Sequence, residues 1–256
     1  MSLFQNIIRA WRGLHSAAAG LAFPLGGWWL GFGASTSDDD RLDKGLAIVL
    51  PGIEGFGPLN CNIACGLIDG GFPGAVIVHD WTTGVWPLFT LHLRAETTNR
   101  RRAEEIAQLV LDYQCEFPGR PVHLVGHSGG AAIAVWTLEA LPETASVCSV
   151  VLLGAALSPS YCLAKALSRT EKGIWHFWSP LDILFLAAGT LLFGTADGRH
   201  TIAAGCSGFK RRRECDRLRQ CCYHPRMLRQ FHFGGHLSWA NSVFVAEEIA
   251  PRLGTI

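Results

Sequence analysis

Val122-His123-Leu124-Val125-Gly126-His127-Ser128-Gly129-Gly130 runs straight into Ala131-Ala132-Ile133-Ala134-Val135-Trp136-Thr137-Leu138-Glu139. The first residues are β-formers and the last an apolar helix. Between them, Gly126-His127-Ser128-Gly129-Gly130 fits the Gly-x-Ser-x-Gly pattern of a sharp strand-to-helix turn. Such a turn lifts a serine hydroxyl above the sheet edge and aims the following helix N-terminus at it. Gly126 and Gly130 suit it because a Cβ at either position would crowd the turn or the neighbouring strand. Ser128 is therefore the candidate nucleophile, and the reading of the chain turns on it.

Outward from this turn, short apolar runs alternate with helical patterns. Leu46-Ala47-Ile48-Val49-Leu50 ends at Pro51-Gly52, and Ala75-Val76-Ile77-Val78-His79 ends at Asp80-Trp81. Helices are expected over 62–69 and 100–113, the second with apolar residues at Ala103, Ile106, Ala107, Val110 and Leu111. Strands are expected at 147–153 and 174–178, with a short helix at 161–167 between them. Gln230-Phe231-His232-Phe233 reads as a last brief strand and 241–253 as a closing helix. Continuous apolar strands separated by helices predict an α/β fold: a mostly parallel central sheet with helices on both faces.

The chain has 256 residues, 49% hydrophobic and 17% charged, with a net charge of +1. It can bury a large core, and its charge gives no general attraction for nucleic acid. Lys210-Arg211-Arg212-Arg213, followed by Arg217 and Arg219, is interrupted by Glu214 and Asp216 and reads as a solvated face. Nine cysteines include Cys215, Cys221 and Cys222 near His224, but no C-x-x-C spacing occurs, so no metal and no cofactor is expected. Reduced, buried thiols are the default reading. Residues 1–43 form an N-terminal apolar segment in which Arg9 and Arg12 precede an uncharged stretch from Ala17 to Ala34. An export signal, a membrane-surface anchor and a segment packed on the domain all fit, so the compartment stays open. Residues 44–256 form the main domain.

A serine hydroxyl needs a base, and the base needs a third group to orient it. In the strand-turn-helix arrangement the order along the chain is Ser, acid, His, each on the loop leaving a later strand. Asp182, in Ser179-Pro180-Leu181-Asp182, follows the 174–178 strand, and His236 follows Gly234-Gly235. Asp197, in an Ala-Asp-Gly turn, is the rival acid. His127 is expected to pack away from the nucleophile, and His79 with Asp80 either lines the pocket or caps a strand. An oxyanion would be received by the backbone N–H of Gly129 and by a second amide in Pro51-Gly52-Ile53-Glu54-Gly55-Phe56-Gly57, with Ile53 the choice and Glu54 the fallback.

These motifs, spread over residues 44 to 254, resemble the α/β-hydrolase superfamily in its serine esterase and lipase branch. Pro51-Gly52-Ile53 sits where that family carries a His-Gly-x oxyanion loop, with proline in place of histidine. The resemblance implies an α/β-hydrolase fold with a minimal cap, because 153–172 leaves room for one helix only. It also implies cleavage of a carboxylic ester, from a small acyl ester or a lipid, through an acyl-enzyme. Other acyl hydrolases, acyltransferases and a catalytically silent binding protein stay open. Trp81, Trp239 and Leu184 are expected to line the acyl pocket, with Trp86 near the same rim and 183–193 an apolar wall or a core helix. Membrane-surface contact through the N-terminal segment remains open too, while nothing predicts a nucleic-acid partner.

Overall fold

The computed structural model describes residues 3–22, 38–82, 95–210 and 217–254. Six strands, β1 (Leu46–Leu50), β2 (Ala75–Val78), β3 (Val122–His127), β4 (Ser149–Leu153), β5 (Ile174–Trp178) and β6 (Leu218–Cys222), form one sheet in the order β2-β1-β3-β4-β5-β6. Every pairing is parallel. The chain steps from β1 outward to β2, returns past β1 to β3, and then proceeds in one direction. The order therefore reverses between β1 and β3, and the loops leaving those two strands diverge there. In open α/β sheets such a crevice at the strand C-termini is where ligands bind.

The apolar runs become strands because both faces of the sheet are covered. β1, β3 and β4 are buried along their whole length. Their side chains alternate between two cores: Leu46, Ile48, Leu50 and Leu124 enter one, and Ala47, Val49, Val125 and Val151 the other. With α1 denoting Leu3–Ala22, helices α2 (Pro58–Asp69), α3 (Glu96–Glu116), α4 (Gly129–Ala140) and α5 (Ala164–Ser168) follow in chain order. α4 is apolar all round and buried from Gly129 to Leu138, as a helix wedged between sheet and α3 must be. Only α5 lies between β4 and β5, so no large cap occurs there. The longer excursion follows β5 and contains a π-helical Leu184–Gly189 leading into Thr190–Phe193.

Several boundaries move. α2 begins at Pro58, where a proline's missing N–H costs nothing, and α3 extends over Glu96–Glu116. The expected strand at 230–233 does not form: Pro225–Gln230 is a 3-10 turn and Phe231 sits in the left-handed region at φ 59. The last strand is instead β6, whose polar residues conceal it. Gln220 is committed to the Phe209 backbone, and Arg219 stacks 4.9 Å over Trp175 while donating to the Lys172 carbonyl. Cys221 and Cys222, as neighbours in a strand, face opposite ways, and all eight described cysteines are free thiols. The closing helix widens into a π-turn at Val245–Ile249 just before Pro251, which has no N–H for the carbonyl four residues back. Trp86, residues 23–34 of the N-terminal stretch and residues 211–216 of the basic run lie outside the described residues.

Three histidines are built into the cores as neutral rings. Burial pushes His123 and His176 down to about 4 and His232 to about 3. His123 Nδ1 meets Ser149 Oγ at 2.8 Å, and the Gly234 N–H donates to His232 Nδ1 at 3.0 Å. An unfolded chain takes up protons on these rings below about 6.5, whereas the folded protein does not until near 4. Their contribution to stability is thus complete above about pH 6.5 and is lost as pH falls toward 4. Urea midpoints measured at stepwise pH should fall steadily across this window; a flat profile would contradict it.

Candidate active site

Ser128 has φ 54 and ψ −117, a conformation that a non-glycine residue adopts only under constraint. The constraint is visible on both sides of the turn. The Ser128 N–H donates to Leu153 O at 2.9 Å, and the Ser128 carbonyl accepts from Ala156 N at 3.2 Å, tying the turn to the end of β4. A Cβ on Gly126 would collide with the Gly130 carbonyl and Ala131, and one on Gly130 would collide with the Leu50 and Pro51 carbonyls. Both glycines thus permit a close approach of backbone to backbone, as the sequence pattern demands. Ser128 itself is 7% exposed.

His236 opens a short 3-10 turn, His236–Ala240, and its Nδ1 lies 2.6 Å from Asp182 Oδ2. Both are buried, Asp182 more completely. Asp182 is itself fixed by the Leu186 N–H, which donates to its Oδ1 at 3.3 Å. Asp197 is engaged elsewhere, accepting from the Ser158 N–H and Thr195 Oγ1 at 2.8 Å each. It pins a turn. A Cβ built on Gly154, which follows β4 directly, would come within 3.4 Å of His236 Nδ1. His236 and Ser128 therefore both lie near the C-terminal end of β4. Among the described residues no hydrogen bond joins the Ser128 hydroxyl to His236, a contact that commonly tightens only with substrate bound.

The His236 ring is held between two others. Phe185 stacks on it with centroids 4.9 Å apart, and His127 lies 4.8 Å away on a tilted plane. His127 thus packs beneath the site rather than away from it, with Nε2 3.4 Å from the His236 carbonyl oxygen and Nδ1 3.6 Å from Glu54 Oε1. Burial by itself would lower the His236 pKa. The charge of Asp182, the hydrogen bond to it and the charge of Glu54 outweigh that and leave the pKa raised, the reverse of the three core histidines.

The loop after β1 comes against the turn from the other side of the crevice. A Cβ on Gly129 would lie 2.8 Å from Ile53 Cγ2 and 3.5 Å from the Ile53 nitrogen. The neighbouring Gly52 N–H is already taken by the Glu54 carboxylate at 3.2 Å, so Glu54 serves the loop through its side chain. Asp80 anchors the loop by accepting from the Phe56 N–H at 3.0 Å, and Asn60 closes it through Gly55 O and Gly57 N. Asp80 is accordingly a tie between loops. The proline at 51 is supported by Trp81, whose Nε1 donates to Pro51 O at 2.7 Å.

Two of the three expected wall residues prove to be core. Trp81 is buried behind the β1 loop, and Trp239 is fully buried, edge-on to Phe177, His232 and Phe244. The Trp239 ring packs in the core within the His236–Ala240 turn. Leu184, 72% exposed, does line a groove, of about 370 Å³, together with Asp182, His236 and Phe185. Sequence reading placed Phe185 only within the 183–193 apolar wall, and it missed the inward carboxylate of Glu54 and the groove lining that Ser16, Ala17 and Leu21 of α1 supply. The one available signal was the small-residue spacing Gly13, Ser16, Gly20 along α1, a face fit for close packing.

A parallel sheet carrying a serine turn on its middle strand, with acid and histidine on loops beyond later strands, defines the α/β-hydrolase fold. No family model matches the chain, and no curated protein sequence matches it. Among solved structures the chain is similar to a Trichoderma reesei cutinase in complex with a C11Y4 phosphonate inhibitor, at 14% identity and a TM-score of 0.38, over 100% of this chain and 94% of that one. So distant a likeness adds nothing to what the sheet and its loops define.

Two outcomes test this geometry without reference to turnover. The imidazole titration of His236 followed by NMR should have its midpoint above about 6.5, fall strongly in Asp182→Asn and fall less in Glu54→Gln; an unchanged midpoint in Asp182→Asn would refute the pairing. Gly130→Ala, by forcing the β1 loop off the turn, should cost about 1–3 kcal/mol in denaturant unfolding.

Proposed function

We propose that the protein is a serine hydrolase that cleaves carboxylic esters through an acyl-enzyme intermediate. The observation that carries this reading is the 2.6 Å contact between His236 Nδ1 and Asp182, formed at the same strand end as the strained Ser128 turn. With Nδ1 held by Asp182, the proton-accepting lone pair is on Nε2. Ser128 Oγ attacks the acyl carbon while Nε2 takes its proton, and Asp182 stabilises the imidazolium so formed. The carbonyl electrons move to oxygen, and the resulting oxyanion is received by the Gly129 and Ile53 amides. Collapse expels the alcohol with the proton from Nε2. Water, activated by the same nitrogen, then attacks the acyl-serine and releases the acid.

The groove supports an acyl ester over a charged substrate. Besides Asp182 and His236 its lining is uncharged, and Leu184, Phe185 and Leu21 contribute apolar surface. An apolar chain gains by leaving water there, at about 25 cal/mol per Å² buried.

A fluorophosphonate probe should label the folded protein, and Ser128→Ala should abolish the labelling; an unlabelled wild type would remove the hydrolase reading. Against p-nitrophenyl esters of increasing chain length, Ser128→Ala and His236→Ala should each reduce kcat by about 10⁶-fold. Asp182→Asn should reduce it by roughly 10⁴-fold, and Asp197→Asn should instead lower stability with activity per folded molecule retained.

A further inference from the structure

α1 is amphipathic with its polarity turned inside out. The face against the domain is small and polar: Gly13, Ser16, Ala19 and Gly20 are buried, and Asn241 Nδ2 donates to Gly13 O at 2.9 Å. The Ser242 N–H donates to Ser16 Oγ at 3.0 Å. Both arginines of the helix turn toward the domain as well, Arg9 pairing with Glu247 and Arg12 with Asp69. A helix recruited to complete a core buries its long apolar side chains. This one exposes them: Leu3 is 79% exposed, Trp11 70% and Leu21 73%, with Phe4, Ile7 and Leu14 on the same side. Apart from Gln5 and Asn6 every exposed position of the helix is apolar, and none is charged.

We infer that this outer face of α1 docks the protein on a lipid surface, beside the groove that holds His236. Three observations choose lipid as the occupant. The face is continuous with the groove, since Ala17 and Leu21 form one bank and Ile183 and Leu184, 61% and 72% exposed, form the other. Its cations are paired inward, Arg9 with Glu247 and Arg12 with Asp69, so the exposed residues of the outer face carry no charge. And the composition of the face, leucine, isoleucine, phenylalanine and one tryptophan, is that of a helix lying in the headgroup boundary. For a free interfacial helix water takes the polar side; here the folded domain takes it. No described helix is long and apolar enough to cross a membrane, so α1 lies along the surface. With both banks at the surface, an ester passes from lipid into the groove without crossing water. The docking itself is independent of the ester-hydrolase reading, which supplies only its purpose.

Flotation of the full-length Ser128→Ala protein with phosphatidylcholine vesicles separates the two. Most of the protein should rise with the vesicles, and the triple variant Phe4→Glu, Ile7→Glu, Trp11→Glu should reduce the bound fraction at least tenfold. On an active background the triple variant should keep its rate on a water-soluble short-chain p-nitrophenyl ester, which also shows that it is folded. Bromine-labelled acyl chains should quench the fluorescence that distinguishes wild type from Trp11→Phe. Protein that stays unbound, a triple variant that floats as well as the parent, or an unquenched Trp11 overturns the inference. So does a vesicle-free dimer that the same substitutions dissociate, since a second copy then covers the face. Failed fluorophosphonate labelling with flotation intact would count against the hydrolase reading alone.

Discussion

The backbone of one residue sets the terms for the rest of the molecule. Ser128 at φ 54 and ψ −117 stores strain of order 1–3 kcal/mol, which persists only when the surroundings over-determine it. They do so with hydrogen bonds to Leu153 and Ala156 and with two glycines that let α4 and the β1 loop approach the turn. α4 can be apolar on every side because it is driven against the sheet directly beneath the serine. The turn, the buried helix and the flanking strands β1 and β4 are thus a single packing solution, which holds Ser128 at the end of the sheet.

The same arrangement decides the electrostatics. Because the strand order reverses between β1 and β3, the β1 loop and the serine turn open toward one another and leave a crevice. Burial of His236 in that crevice would ordinarily favour the neutral ring. A carboxylate at 2.6 Å and a second, Glu54, acting across His127 reverse the balance. Burial, to which the stacked Phe185 ring contributes, opposes the charged imidazole, and the two carboxylates outweigh it.

How far the sequence discloses this depends on which force fixes each element. β1 to β5 are legible because each reads as a short, mostly apolar run, buried along its whole length in β1, β3 and β4 and in part in β2 and β5. β6 is not: it is an edge strand whose arginine and glutamine serve the neighbouring strand and the Phe209 backbone, so its pattern is that of a loop. Phe231-His232-Phe233 misleads in the opposite sense. It alternates like a strand, but Phe231 is in the left-handed region against Gly13 of α1, and His232 is locked in a local turn. Ser128, Asp182 and His236 were readable as positions after strands, and so was Leu184 at the groove. Trp81 and Trp239 were not, because a tryptophan near a site looks alike in sequence whether it faces the ligand or supports the loop. The α1 wall was least legible, since its hydrogen bonds to Asn241 and Ser242 join residues more than two hundred positions apart.

That separation has a consequence for how the protein comes to be made. Arg9 and Glu247 are 238 residues apart, so a ribosome working at about 5–20 residues per second leaves α1 resting on α2 alone, without the 236–249 segment, for roughly 10 to 50 s. Late in that time the serine turn and its flanking strands can form from chain already synthesised, while the groove still lacks its lining from Gly235 to Asn241. The groove is completed only when the 236–249 segment has emerged and folded back. Its maturation is therefore a closing step of biosynthesis, and a nascent chain stalled short of Glu247 would carry a formed Ser128 turn beside an unfinished groove.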